Sequence, residues 1–254
     1  MDALALIFFF VLGAIIASFI GVLTVRMHTG QSSLTGRSRC DACNTGLPPS
    51  ALIPVISFFI SNGRARCCGA RISALAPITE LLQGALFALS YATLGLTAAL
   101  PFMLLSLALL LALVLYDLWH QILPSMLLAA FVIAAAATGF TSAPSLSAFS
   151  DSLLTAVLIS ASLALIHFLS RGRAMGFSDA PFALGLALLV GPAAFPGFVF
   201  SFWIGAGIGI IILLKRPPGS RMGVEVPFAP FLAAGFILAY FTQWNPFAFV
   251  AVIS

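Results

Sequence analysis

Long stretches without a charged residue are the feature that most restricts what this chain can fold into. From Ala180 to Leu214, for instance, no residue is charged. Of the 254 residues, 61% are hydrophobic and only 7% are charged, whereas a soluble domain carries roughly 25% charged residues. Several apolar stretches reach the length of about 20 residues that a membrane-crossing helix needs. The sequence therefore predicts an integral membrane protein.

These stretches are continuously apolar rather than alternating, which indicates helices and not a barrel. The first stretch is interpreted as a helix and not a signal peptide, because no Lys or Arg precedes it and no cleavage site follows it. The Ser- and Pro-rich segment 140–151 is predicted to be a loop. The fold class is thus all-α, a polytopic membrane protein with about eight transmembrane helices. They are predicted near residues 3–25, 74–93, 98–116, 125–139, 152–170, 181–190, 196–214 and 228–241.

The basic residues predict how the chain is oriented in the membrane. All 11 lie in three segments, 26–71, 171–173 and 215–221. Membrane proteins concentrate Lys and Arg in cytoplasmic loops, so these segments are expected inside and both termini outside. The net charge of +4 is explained by this topology and does not indicate nucleic-acid binding. The expected parts are a first helix (1–25), a small cytoplasmic cysteine-containing loop (26–73) and a helical bundle (74–254).

Two aspartates are expected at the cytoplasmic ends of predicted helices. Asp179 opens one helix and has a structural alternative, because Asp is a favoured N-cap and Pro181 suits a first turn. Asp117 follows the last turn of another helix, where an acid is mildly unfavourable. Two neighbouring carboxylates can act as an aspartic protease: the ionised one takes a proton from water and the protonated one polarises the scissile carbonyl. Asp117 and Asp179 are therefore the candidate catalytic pair.

Short motifs surround both aspartates. The motif from Gly176 to Asp179, Gly-Phe-Ser-Asp, is similar to the G-x-G-D of the type IV prepilin peptidases, which are intramembrane aspartic peptidases. Ser178 stands in place of the second glycine. The segment 117–124 resembles the partner aspartate segment. The element Pro-Phe-Ala-Pro-Phe-Leu, which contains Pro227 and Pro230, resembles the family's Pro-Phe-Gly-Pro-Phe-Leu. Segments of the first third also occur in the family's order: 17–19, 39–43, 53–57, 63–69 and 77–80.

The resemblance implies a multi-pass endopeptidase of the bacterial inner membrane with periplasmic termini. It implies cleavage of the leader peptide from type IV prepilins or type II secretion pseudopilins by Asp117 and Asp179, without a cofactor. Many members also N-methylate the new N-terminus with S-adenosylmethionine, and the resemblance associates the 26–73 loop, Arg64 and Glu80 with that second activity. Expected partners are prepilins or pseudopilins and membrane lipid, whose anionic headgroups would help to recruit basic leaders.

The four cysteines lie in the segment that we expect in the cytoplasm, where thiols stay reduced. We therefore expect a structural zinc site rather than disulfides. Cys40 and Cys43 have the C-x-x-C spacing of two ligands to one tetrahedral zinc, but Cys67 and Cys68 are adjacent. The resemblance puts the family's third cysteine at Ala65. Cys67 moves in as the fourth ligand, or a water molecule or another side chain completes the zinc shell. The remaining alternative is a loop that has lost its metal.

Other polar residues leave alternatives open. Glu80 either holds the substrate's new N-terminal amine or pairs with Arg66 or Arg71. Gly21 stands where the family usually has Asn, and this departure, like Ala65, falls in the region associated with methylation. His120 either tunes the charge of Asp117 or lies at the membrane interface, and His167 is given no function.

Two functions of other classes stay open beside the peptidase. An ion- or proton-coupled transporter would also use membrane aspartates. That class predicts acids near the bilayer midplane and symmetric halves, and the sequence shows neither. A non-catalytic pilin assembly factor would carry the same motifs, and only an assay separates it from an enzyme.

Overall fold

The chain is an all-α protein, which confirms the predicted fold class. The computed structural model describes residues 2–27, 39–40, 42–173, 175–215 and 227–246. Within these ranges it has no β-strand, only two isolated bridges between 39 and 71. The helices are α1 (Ala3–Arg26), α2 (Ile56–Ile60), α3 (Leu75–Leu94), α4 (Ala99–His120), α5 (Ser125–Ser142), α6 (Leu146–Ser170), α7 (Asp179–Val190), α8 (Ala194–Lys215) and α9 (Ala229–Thr242).

Most of these helices are long and apolar enough to cross a membrane. In the part of the chain that the structure describes, six stretches meet that requirement: α1, α3, α4, α5, α6, and a joint stretch Asp179–Lys215 that contains α7 and α8. The last helix, α9, is also apolar but has only 14 residues. The protein is therefore a multi-pass membrane protein.

Several predicted boundaries are wrong. α4 continues to His120, so Asp117 lies inside its last turn and not after it. The segment 140–151 is mostly helical, because α5 runs to Ser142 and α6 begins at Leu146. The side chain of Ser145 caps α6 by accepting from the N–H of Ala148 at 3.2 Å. The segment 26–73, which was predicted as a loop, contains the short helix α2.

The first of two compact units, Met1–Leu100, is built on α1 and α3. Phe9 stacks on Tyr91 with ring centroids 4.8 Å apart. One turn further along α1, Gly13 approaches α3 so closely that an added Cβ would lie 2.6 Å from the carbonyl oxygen of Gln83. Small residues allow such contact between membrane helices. Phe9 contacts Tyr91 and the later Gly13 contacts the earlier Gln83, so α1 and α3 run antiparallel. The C-terminal end of α1 therefore lies beside the N-terminal end of α3.

The second unit, Pro101–Ser254, is organised around α7. This helix is apolar on every side and most of its residues are buried, as expected of a central helix. Gly185 lies against the ring of Phe131 on α5, with an added Cβ only 2.6 Å from that ring. On another side, the hydroxyl of Ser160 on α6 donates to the carbonyl of Ala180 at 2.9 Å. These contacts fix the N-terminal end of α7.

Helices α8 and α9 form the other closely packed pair of the second unit. An added Cβ at Gly197 would lie 2.8 Å from the Cα of Phe236. The hydroxyl of Ser201 donates to the carbonyl of Leu232 at 3.1 Å. Interhelical hydroxyl bonds of this kind stabilise membrane bundles. The position of α9 is therefore set by backbone-to-backbone contact with α8.

Candidate active site

Asp117 is a buried carboxylate in the last turn of α4. It accepts a hydrogen bond from the backbone N–H of Ala229, the first residue of α9. Its Oδ2 atom is buried and has no hydrogen-bond partner among the described residues. Leaving such an atom unpartnered costs free energy. This oxygen is therefore available to a water molecule or a substrate group.

The element 227–232 sets where α9 begins. Pro230 is the second residue of the helix, a position where its fixed φ and missing N–H are tolerated. Pro227 lies just outside the helix. The first helical N–H is consequently that of Ala229, and it donates to Asp117. The element thus brings the positive end of a helix dipole to the carboxylate.

Asp179 is the first residue of α7, and Ser178 occupies the N-cap position without a side-chain cap bond. The Asp179 carboxylate accepts from the N–H of Gly176, while its own N–H donates to the carbonyl of Gly176 at 3.3 Å. Ser178 has φ −64°, in the ordinary helical region. This position does not need the conformational freedom of glycine, which explains why serine can replace the second glycine of the motif.

The two carboxylates are close enough for the charge of Asp117 to act on Asp179. The C-terminal end of α4 and the N-terminal ends of α7 and α9 therefore meet at one end of the second unit. Carboxylates that interact in this way titrate as a pair. The arrangement can perform the paired acid and base chemistry that the sequence predicts for Asp117 and Asp179.

His167 holds the segment that leads to Asp179, a role that the sequence did not indicate. Its Nδ1 lies 2.8 Å from the carbonyl oxygen of Met175. Because a carbonyl only accepts, this nitrogen carries the proton. The ring also packs against Phe177, with centroids 5.6 Å apart. The other candidate histidine, His120, packs on Tyr116 at 4.6 Å.

Glu80 is buried in α3, and its Oε2 accepts from the backbone N–H of Val55 at 2.6 Å. This bond replaces the ion pair with Arg66 or Arg71 that the sequence left open. One turn further along α3, Gln83 is also buried, and its Nε2 has no partner within the described part of the chain. The sequence feature that could have indicated Gln83 is its spacing of three residues from Glu80, which puts both side chains on the same face of the helix. Arg64 is exposed, and its backbone forms an isolated β-bridge with that of Arg71. None of the described contacts joins Arg64 to Glu80.

The four cysteines come together in the first unit. Their sulfur atoms all lie within 4.8 Å of one another. Cys40 lies 3.7 Å from Cys68, and Cys43 lies 3.2 Å from Cys67. The adjacent Cys67 and Cys68 thus both reach the cluster, although Ala65 occupies the position of the family's third cysteine. The neighbouring Thr45 hydroxyl lowers the pKa of Cys43 to about 6, and the bond with Cys43 raises the pKa of Cys67 to about 12.

Known proteins match both parts of this architecture. Residues 11–94 match the family model described as the Bacterial Peptidase A24 N-terminal domain. A prepilin leader peptidase/N-methyltransferase of Bacillus subtilis (strain 168) is 32% identical over 91% of this chain and 92% of its own length. The protein of that name from Myxococcus xanthus (strain DK1622) is 32% identical over 82% of this chain and 63% of its own length. No solved structure matches the chain. The chain therefore belongs to the prepilin leader peptidase/N-methyltransferase family.

Proposed function

We propose that this protein cleaves the leader peptide of type IV prepilins or type II secretion pseudopilins, with Asp117 and Asp179 as the catalytic pair. One observation carries the proposal: two interacting carboxylates, of which Asp117 keeps a buried oxygen without a partner among the described residues. The family of the chain supports the substrate class, because its relatives are named prepilin leader peptidases.

Hydrolysis then follows the chemistry of an aspartate pair. The ionised carboxylate takes a proton from the attacking water, and the protonated one donates a hydrogen bond to the scissile carbonyl oxygen. The tetrahedral intermediate breaks its C–N bond as the leaving nitrogen receives a proton. The N–H groups of Ala229 and Gly176 orient the two carboxylates before the substrate arrives. No metal or cofactor is needed for these steps.

The active site faces the cytoplasm of a bacterial inner membrane in this proposal. Arg171 and Arg173 are exposed between α6 and Asp179, and basic residues concentrate on the cytoplasmic side. The N-terminal end of α1 and the C-terminal end of α9 then lie on the periplasmic side. The leader peptide would then be cut at the inner face of the membrane.

Cleavage by the purified protein tests this function. The protein is reconstituted in nanodiscs with a prepilin, and mass spectrometry detects leader removal. Asp179→Asn should abolish removal, whereas Asp151→Asn, at an exposed acid on α6, should leave it unchanged. If the wild-type protein leaves intact a prepilin that an authentic prepilin peptidase cuts, the proposal is wrong and the non-catalytic assembly factor gains support.

A second activity, N-methylation of the new N-terminus, is favoured by the buried polar pair in α3. The Glu80 carboxylate would hold the cationic amine, and the unpartnered amide nitrogen of Gln83 would donate to a carbonyl oxygen. Arg64 is a further candidate residue for methylation, because the family resemblance associates its segment with this activity. S-adenosylmethionine supplies the methyl group when it is bound. An added Cβ at Gly21 would meet nothing within 4 Å, so the departure from Asn leaves open space and not a distorted helix.

We also propose that Cys40, Cys43, Cys67 and Cys68 hold a structural zinc ion. A tetrahedral site with Zn–S bonds of about 2.3 Å places its sulfur atoms about 3.8 Å apart. The cysteine sulfurs lie at comparable distances, 3.2 Å, 3.7 Å and 3.9 Å for three of the pairs. All four sulfur atoms lie within 4.8 Å of one another, so shifts of about 1 Å at the side chains would complete a tetrahedral zinc site. The ion would fix the fold of the segment around residues 39–71 and take no part in hydrolysis.

A further inference from the structure

The short helix α2 presents an apolar face that no described part of the protein covers. Ile56, Phe59 and Ile60 lie at positions i, i+3 and i+4, which share one side of a helix. Their side chains are 54%, 63% and 63% exposed. Phe58 turns the other way, and its ring lies 3.1 Å from where a Cβ at Gly63 would be. The outward side of α2 is thus uniformly hydrophobic.

The start of α2 lies alongside a membrane-spanning helix and not beyond its end. Val55, the residue before α2, donates its N–H to Glu80 on α3 at 2.6 Å. Glu80 is five residues into α3, which begins at Leu75, and this corresponds to about 7.5 Å along the helix axis. Because α3 is long and apolar enough to span a membrane, α2 begins at the depth of its second turn.

A strained turn places the start of α2 at this depth. Val55 has φ +62° and ψ −55°, a conformation that a β-branched residue rarely adopts. The N–H of Ile56 donates to the carbonyl of Pro54 at 2.5 Å, which closes a γ-turn around Val55. Such strain persists only where the surroundings impose it, and the hydrogen bond from the Val55 N–H to Glu80 holds the peptide group of this residue.

Basic side chains follow α2 directly. Arg64, Arg66 and Arg71 are all exposed, and Arg64 and Arg71 are paired by a backbone bridge. Arginines beside an apolar surface interact favourably with anionic lipid headgroups. An apolar face next to exposed arginines is complementary to the surface of an anionic bilayer.

We propose that α2 is an interfacial helix whose face of Ile56, Phe59 and Ile60 rests among the lipid acyl chains, with Arg64, Arg66 and Arg71 at the headgroups. The segment between α1 and α3 is then anchored to the bilayer surface and is not a free aqueous loop. Glu80 and the cysteine cluster are held at this surface. The proposal does not depend on the catalytic role of the aspartates.

Photocrosslinking of the full chain tests the inference. p-Benzoylphenylalanine is incorporated at Phe59, and the protein is placed in nanodiscs of phosphatidylethanolamine and phosphatidylglycerol. Irradiation followed by mass spectrometry then counts phospholipid adducts. Leu165, exposed on α6, is the lipid-facing reference. Ser50, an exposed polar residue of the same segment, is the matched position outside both the apolar face and the arginine group.

The probe at Phe59 should yield lipid adducts at a level close to that of Leu165 and several-fold above Ser50. Adducts no more frequent than at Ser50, or adducts to a second polypeptide in place of lipid, would overturn the proposal. Because Phe59 is exposed, the probe should fit without unfolding the chain. If thermal unfolding shows that it does not, Ile60 is the second probe position, with the same expected outcome.

Discussion

Replacing Gly197 by alanine should slow leader cleavage although this residue lies far along α8 from the aspartates. The new Cβ would be 2.8 Å from the Cα of Phe236, whereas ordinary contacts begin at 3.4 Å. The difference is about 0.6 Å, and backbone atoms cannot rotate away, so α8 and α9 must separate by about that distance. Phe236 is seven residues from Ala229, or about 10 Å along α9. The displacement therefore reaches the N–H that orients Asp117.

Gly197→Ala should lower both the stability of the protein and the rate of cleavage. Overpacking costs about 1–3 kcal/mol, and alanine returns about 0.5–1 kcal/mol in helix propensity. We expect a net destabilisation of about 1–2 kcal/mol. For the rate, a shift of about 1 Å can cost 100-fold, so a smaller shift should lower kcat by about tenfold.

Gly207→Ala on the same helix is the matched control, because its Cβ would meet nothing within 4 Å. Leader cleavage and thermal unfolding are measured for both variants in the same nanodiscs. Gly207→Ala should cleave at the wild-type rate and unfold at the same temperature or slightly higher. If Gly197→Ala cleaves and unfolds like Gly207→Ala, then α9 does not position Asp117 through this contact, and the reasoning fails.

Three further predictions concern the residues around the two sites. His167→Asn keeps an N–H near the position of Nδ1 and should retain most of the cleavage rate. His167→Gln does not, and it should lower kcat with little change in KM. Equal rates for the two variants would show that the Met175 carbonyl does not need this donor. Metal analysis should find about one zinc per chain, lost on combined Cys40→Ser and Cys43→Ser while cleavage persists; zinc-free wild-type protein would remove the metal from this account. Glu80→Gln should impair methyl transfer and leave cleavage intact, and Asp179→Asn should do the reverse on a pre-cut pilin, as mass spectrometry of the pilin N-terminus will report. Cleaved but wholly unmethylated pilin from the wild type would mean a peptidase only.

The apolar stretches were sufficient to predict the fold class and most of the long helices, because the bilayer leaves few alternatives to a helix. Helix ends were less predictable. Nothing in the sequence after Tyr116 interrupts a helix before Pro124, and the chain leaves α4 through Gln121 in the left-handed region, with φ +55°. Glycine usually marks such a position, and glutamine does not. α2 has five residues, too few to show a helical period.

The sequence pointed to the two aspartates of the candidate site but not to the groups that contact them. Asp117 and Asp179 lie in recognisable motifs, and two carboxylates at the ends of apolar helices indicated a catalytic pair. The group that orients Asp117 is the backbone N–H of Ala229, and a backbone donor leaves no signature in the sequence. His167 is a single polar residue in an apolar helix, and only the fold shows that its ring reaches Met175. The convergence of Cys67 and Cys68 likewise depends on the path of the chain from Ala65 to Ala70, which is closed by backbone bonds.

The most direct test of the central claim is a double-mutant comparison of Asp117→Asn, Asp179→Asn and the variant that carries both. Leader cleavage is measured with purified protein in nanodiscs under single-turnover conditions, and folding is checked by thermal unfolding. Residues that act as one catalytic unit have non-additive effects. We therefore predict that each single variant is as inactive as the double variant, while all three remain folded. A single variant that keeps substantial cleavage, or losses that multiply in the double variant, would contradict a shared role of the two carboxylates.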